Sequence, residues 1–143
     1  METKVEIVYK PDRSTKCRQP IFMATVPAGF PSPAADYEEG KLDLNRHLIR
    51  NPAATFFVRV TGDSMVKAGI HNGDLLVVDR SIEPRDKNVI IAVVNGELTV
   101  KRIRIRKNRL TLEAENEAYQ SQEINEEIEF EVWGVVTNVI HAL

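Results

Sequence analysis

Five of the seven prolines in this 143-residue chain, Pro11, Pro20, Pro27, Pro31 and Pro33, fall within its first 40 positions. Proline fixes φ near about −65° and lacks a backbone N–H, so this stretch cannot form a long helix and is expected to be extended or turned. It reads as an arm with little core of its own. Within it Val5, Ile7 and Tyr9 nearly alternate with polar neighbours, as a short strand would. The segment E-E-G-K-L-D-L-N-R-H-L-I-R-N-P then carries Leu44, Leu48 and Ile49 at helical spacing, with Asn51-Pro52 as a stop, and predicts one short helix.

From Ala54 onward the pattern becomes β. The runs F-F-V-R-V, D-L-L-V-V-D, N-V-I-I-A-V-V, E-L-T-V-K-R-I-R-I, R-L-T-L-E-A-E and I-E-F-E-V-W-G-V-V-T-N-V-I are rich in β-branched and aromatic residues and are separated by Gly, Asp, Asn and Pro. Asn95-Gly96 is a strong hairpin signal, because both turn positions tolerate positive φ. Without internal repeats or helix-strand alternation, a parallel α/β sheet is disfavoured. The predicted fold is mostly β, a domain of antiparallel strands with an extended N-terminal arm.

A 43% hydrophobic content suffices for one modest core. The net charge of −2 conceals an asymmetry: residues 1–28 hold five Lys/Arg against three Asp/Glu, and the remainder is mildly acidic. That is far from the concentrated positive charge that phosphate binding requires, so no direct sequence-specific DNA binding is expected. Cys17 is the only cysteine, which excludes an internal disulfide and a cysteine-based metal cluster. The chain shows no apolar run of signal-peptide or membrane-span length, so a soluble, cytoplasmic protein without membrane contact is expected.

The chemistry centres on two places. In V-T-G-D-S-M-V-K-A-G-I-H-N-G-D, Ser64 sits in a polar turn between two strands, flanked by Gly62 and Gly69, with Met65 set apolar beside it. In the strand L-T-V-K-R-I-R-I-R, alternation groups Lys101 with Thr99, Ile103 and Ile105, opposite Arg102, Arg104 and Arg106. If the isoleucine face is buried, the charged form of Lys101 is disfavoured. Lowering a lysine from about 10.4 to about 7 takes roughly 4 kcal/mol, which full burial can supply. Such an amine can take the proton of a serine hydroxyl as it attacks a carbonyl. The alternatives stay open: an ordinary Gly-Asp-Ser turn, and a lysine stem that bends outward to keep its ammonium in water. G-D-S-M-V lacks the second glycine of the G-x-S-x-G elbow, which argues against an α/β-hydrolase. His47, His71 and His141 read as surface or boundary residues without metal-ligand spacing, so neither metal nor cofactor is expected. Arg102, Arg104, Arg106, Lys107 and Arg109 form a basic stretch, read as a solvated face opposite the glutamates of E-A-E-N-E or E-E-I-E-F-E-V, or else as a partner or DNA-backbone contact.

G-D-S-M, then G-I-x-x-G-D-L-L-V-V-D, and Lys101 within G-E-L-T-V-K resemble the self-cleaving Ser-Lys peptidases related to LexA. The likeness is greatest to the UmuD-type proteins and their plasmid-borne relatives, with A-G-F-P-S-P-A-A-D-Y a specific match. The resemblance implies a fold like the C-terminal domain of LexA and like signal peptidase. It implies Ser64 as nucleophile, Lys101 as general base, and the N–H groups of Ser64 and Met65 as oxyanion donors. It makes Ala28-Gly29 the scissile bond, set among Pro27, Pro31 and Pro33. Residues 1–28 then form a cleavable arm, 29–53 an extended linker with a short helix, and 54–143 the peptidase domain. Too little chain precedes the bond for the helix-turn-helix of a LexA-type repressor. The implied partners are a second copy in a homodimer, a RecA-nucleoprotein filament, a Y-family (UmuC-like) DNA polymerase subunit and the polymerase sliding clamp. The implied role is translesion synthesis in the SOS response to DNA damage. The competing expectations are a dimeric binding module that keeps the fold without cleaving, and a peptidase acting on outside substrates.

Overall fold

The structure, a computed structural model, describes residues 1–12, 18–22 and 38–143, with backbone alone for 18–22 and 38–41. Ala28, Gly29 and Cys17 lie outside the described residues. The described strands are β1 (Lys4–Tyr9), β2 (Arg18–Phe22), β3 (Glu38–Asp43), β4 (Thr55–Thr61), β5 (Leu75–Asp79), β6 (Val89–Val94), β7 (Glu97–Arg106), β8 (Arg109–Glu113), β9 (Gln122–Glu123) and β10 (Phe130–Ile140). The one α-helix among the described residues, α1 (Leu44–Leu48), follows β3. The chain divides into two compact units, Met1–Pro11 with Asn51–Leu143, and Asp12–Arg50.

In the smaller unit β2 pairs antiparallel with β3. The predicted short helix is α1, started by the Asp43 carboxylate, which accepts the Asn45 N–H at 3.0 Å and so satisfies one orphan donor of the first turn.

The larger unit is an all-antiparallel sheet of order β1-β4-β5-β10-β6-β7-β8-β9, in which β1 also reaches β7 through the pair Lys4 and Thr99. Six strands therefore close on themselves, and β8 and β9 continue from β7. Closure removes the edges that open sheets must otherwise protect. Tight turns set the register. Asn95 and Gly96, with φ of 48° and 84°, join β6 to β7 as the sequence predicts. Lys107 and Asn108, at 47° and 64°, make a second such turn between β7 and β8.

The sheet is buried on both faces where it matters. Val58, Val60, Met65, Ile70, Leu76, Val78, Ile91 and Val100 form one cluster, contributed by strands around the whole closed sheet. On the opposite face Ile90, Ala92, Ile103, Leu112 and Val135 form a second. Each of these side chains except Ala92 contributes about 1.5–3 kcal/mol on burial. Among the described residues no helix is long and apolar enough to cross a membrane.

Candidate active site

The turn after β4 is built by its backbone requirements. Gly62 has φ of +101°, and a Cβ there would lie 2.2 Å from the carbonyl oxygen of Glu2, so only glycine lets the two segments approach. Beyond Ser64 the chain winds into a 3-10 turn, Val66–Ala68, closed by Gly69 at φ 82°. Met65 is fully buried in the first core cluster. The apolar residue that looks out of place in a polar turn is thus the anchor that fixes the serine beside it. Asp63 is tied down on its other side: its carboxylate accepts the Tyr119 hydroxyl at 2.6 Å and the terminal ammonium at 2.9 Å, and its carbonyl accepts from Asn116 at 2.9 Å. The Tyr119 hydrogen bond, with the ammonium, holds the Asp63 carboxyl below its ordinary range. The same bond, then burial, pushes the Tyr119 hydroxyl up to about 12.

Lys101 lies on β7 opposite Ile90, on the face it shares with Ile103 opposite Leu112. That is the face of the second core cluster, and the residue is only 5% exposed. The isoleucine-face grouping holds for Ile103, whereas Ile105, near the strand end, is 41% exposed. The ammonium does not bend out to water: it donates to Glu2 Oε1 at 2.9 Å.

Ser64 is fully buried, and its Oγ accepts the backbone N–H of Thr3 at 2.7 Å. Ser64 and Lys101 are therefore brought to adjacent residues of one extended segment. That segment is held on two sides, since β1 pairs with β4 from Lys4 opposite Thr61 onward, while the Thr3 carbonyl accepts from Val100 N and Thr99 Oγ1, both at 3.1 Å. The Thr3 hydroxyl is buried without a partner among the described residues. Sequence reasoning singles out Ser64 and Lys101 but not their partners Thr3 and Glu2, nor Tyr119, which bonds Asp63. One signal was available: Thr3 is two residues before Val5, so a strand that buries Val5 turns Thr3 inward as well.

The remaining candidates lie apart from these contacts. His71 and His141 are half-exposed, as expected, yet they flank the buried Asp74. His141 Nδ1 is 2.5 Å from one carboxylate oxygen, and the His71 backbone N–H donates to the other at 2.7 Å. Their donor atoms lie within 4.8 Å of one another, a proximity that their spacing along the chain cannot reveal, and both Asp74 oxygens are already engaged. Of the basic stretch, Arg102 pairs with Glu115 and Arg104 with Asp86 and Glu113. Arg106, Lys107 and Arg109 line an open concavity with Thr111.

The sequence profile described as Peptidase S24-like matches residues 20–137, a span that contains Ser64, Lys101 and Ala28-Gly29 but not β1. The chain belongs to the peptidase S24-like family. Within this S24 family it is similar to the UmuD-like proteins. Protein SamA of Salmonella typhimurium is 51% identical over 122 residues, 85% of this chain and 84% of that one. Protein ImpA of Escherichia coli is 48% identical over 123 residues, covering 86% and 83%. Protein MucA of Escherichia coli is 38% identical over 137 residues, covering 94% and 92%.

Proposed function

We propose that this S24-like chain is a self-processing serine peptidase that cuts its own Ala28-Gly29 bond. The observation that carries the reading is the burial of a serine and a lysine beside two consecutive residues of one extended peptide. A cleft that places a backbone N–H on the hydroxyl and a side chain on the ammonium has the shape an extended scissile segment needs. In the proposed reaction Ser64 Oγ attacks the Ala28 carbonyl carbon and its proton passes to the neutral Lys101 amine. The tetrahedral oxyanion is received by the N–H groups of Ser64 and Met65, which donate to no other described residue. Collapse breaks the C–N bond, with Lys101 returning the proton to the Gly29 nitrogen. Water, deprotonated by Lys101, then releases the Ala28 carboxylate from Ser64.

The resemblance to UmuD-type proteins supports the wider role: a cytoplasmic homodimer, stimulated by a RecA-nucleoprotein filament, whose product serves a UmuC-like polymerase in translesion synthesis and meets the sliding clamp. An ordinary lysine loses its proton near about pH 10.4, so alkaline incubation of purified protein should release residues 1–28, read as a mass change. Ser64→Ala should stay intact, and equal cleavage by that variant removes Ser64 from the mechanism. One observation favours a second reading, a non-cleaving dimeric binding module: both reactive groups already have partners. Intact mass after prolonged incubation with an active RecA filament would select it.

A further inference from the structure

We propose that Glu2 and Thr3 are a built-in competitive inhibitor of the Ser64 and Lys101 site, which must be vacated before any scissile bond can enter. The inference rests on the peptidase reading above and adds its regulation. Ser64 has no exposed surface, and its Oγ is taken by the Thr3 N–H at 2.7 Å. No carbonyl carbon can reach the oxygen while Thr3 is in place. Lys101 is a donor to Glu2 at 2.9 Å, and an ammonium so paired has no lone pair with which to accept a proton. One short segment therefore disables the nucleophile and the base together.

The segment fits as a strand added between β4 and β7, the way extended peptides complete a sheet. Three features show that the turn accommodates it and that it can leave. Gly62 is bare where Glu2 crosses it, and a Cβ would meet the Glu2 carbonyl oxygen and carbon at 2.2 and 2.6 Å. The Glu2 side chain is 46% exposed, so water competes for its bond to Lys101. The Thr3 hydroxyl is buried unpartnered, an imperfection that favours release. The apolar anchor is farther along, where Val5 packs on the first core cluster and residues 4 to 9 run beside β4. Residues 1–3 swing out while β1 stays paired once the Met1 bonds to Asp63 and the bonds from Val100 and Thr99 to the Thr3 carbonyl also break. These residues precede the stretch matched by the S24 profile, which begins at residue 20.

The test uses the full chain with Glu2→Gln, Thr3→Pro and, as a control on the exposed part of β1, Glu6→Gln. The direct readout is the rate at which a small fluorophosphonate labels Ser64; self-cleavage at alkaline pH is the second. Thr3→Pro removes the N–H on Ser64 and should raise labelling about tenfold. Glu2→Gln should raise it roughly threefold, and Glu6→Gln should leave it unchanged. Equal labelling of the wild type and both site variants overturns the proposal. Faster labelling without cleavage in any variant upholds occupancy and removes the Ala28-Gly29 reading instead. Should no variant label, hydrogen exchange of the Thr3 amide in the wild type decides: protection of about a hundredfold upholds the contact, and free exchange overturns it. Should Thr3→Pro fail to fold, Glu2→Gln and the exchange measurement carry the test.

Discussion

Replacing Thr3 by valine keeps the shape of the side chain and removes a buried side-chain polar atom that has no partner among the described residues. Thr3 itself is fully buried. Leaving a buried hydroxyl unpaired costs about 1–3 kcal/mol, so Thr3→Val should stabilise the occupied site by about 2 kcal/mol. For a chain of this size about 1 kcal/mol moves the midpoint by roughly 2–4 °C, which predicts a rise of about 4–8 °C in thermal unfolding at neutral pH. If residue 3 must leave before Ser64 reacts, the same energy enters the opening equilibrium, and phosphonate labelling should slow by about thirtyfold. Thr3→Ser retains the hydroxyl and should show neither gain. The two measurements share one energy and no instrument, so their agreement is the check. A lower midpoint would mean that the hydroxyl is satisfied in solution. A higher midpoint with unchanged labelling would mean that Thr3 is buried without gating the serine.

Other positions test the frame around the site. Ile103→Ala should cost about 2–5 kcal/mol in denaturant unfolding, whereas Ile105→Ala should fall within about 0.5 kcal/mol of wild type, since only the first is buried. Gly134→Ala puts a methyl 2.6 Å from Val78 Cγ1, a fully buried atom group of the core, and should destabilise by about 1–3 kcal/mol. Burial works to raise the Asp79 carboxyl, but hydrogen bonds from Asn51 and from the Ser81 hydroxyl and N–H outweigh it and hold the group below its ordinary range. A lowered folded value adds stability above the unfolded value of about 4, and that stability is lost as pH falls through the folded one. The amount by which the unfolding midpoint of wild type exceeds that of Asp79→Asn should therefore be largest near pH 7 and shrink as pH falls below about 4.

What was legible in the sequence is what depends on local pattern. The runs that form β4 to β8 and β10 announce themselves by β-branched residues, and Asn95-Gly96 fixes one register outright, which places Lys101 beside Ile103 on a buried face. The closure of the sheet was not legible, because it depends on which edge remains open once the other strands have paired. Nor was the double use of β10. Register shifts between Val132 and Gly134 and between Val136 and Asn138 let one strand pair with β6 at its start and β5 at its end, and no composition signal marks them. Glu2 and Thr3 were hidden for a related reason. Their partners lie some 60 and 100 residues away, and an acidic residue next to a threonine near a terminus carries no pattern of its own.

Whether the two contacts open together decides how such a site is regulated. If residues 2 and 3 swing out as one piece, a single opening exposes the Ser64 hydroxyl and strips Lys101 of its counter-ion. An opening free energy of about 2–3 kcal/mol would leave about 0.6–3% of molecules open, and a partner preferring the open form about a hundredfold would raise that to roughly 40–80%. Such a partner needs only to hold the released segment and contributes nothing to the chemistry. If the contacts are separate latches, freeing either group leaves the other blocked, and the two open fractions multiply, so either variant raises self-cleavage whichever case holds. Hydrogen exchange of the Thr3 amide separates the cases. With one motion, Glu2→Gln speeds that exchange as well as cleavage. With two latches, Glu2→Gln leaves the exchange at the wild-type rate. The geometry favours the first outcome, because the residues are consecutive and share the anchor at Val5; unchanged Thr3 exchange in Glu2→Gln would refute it.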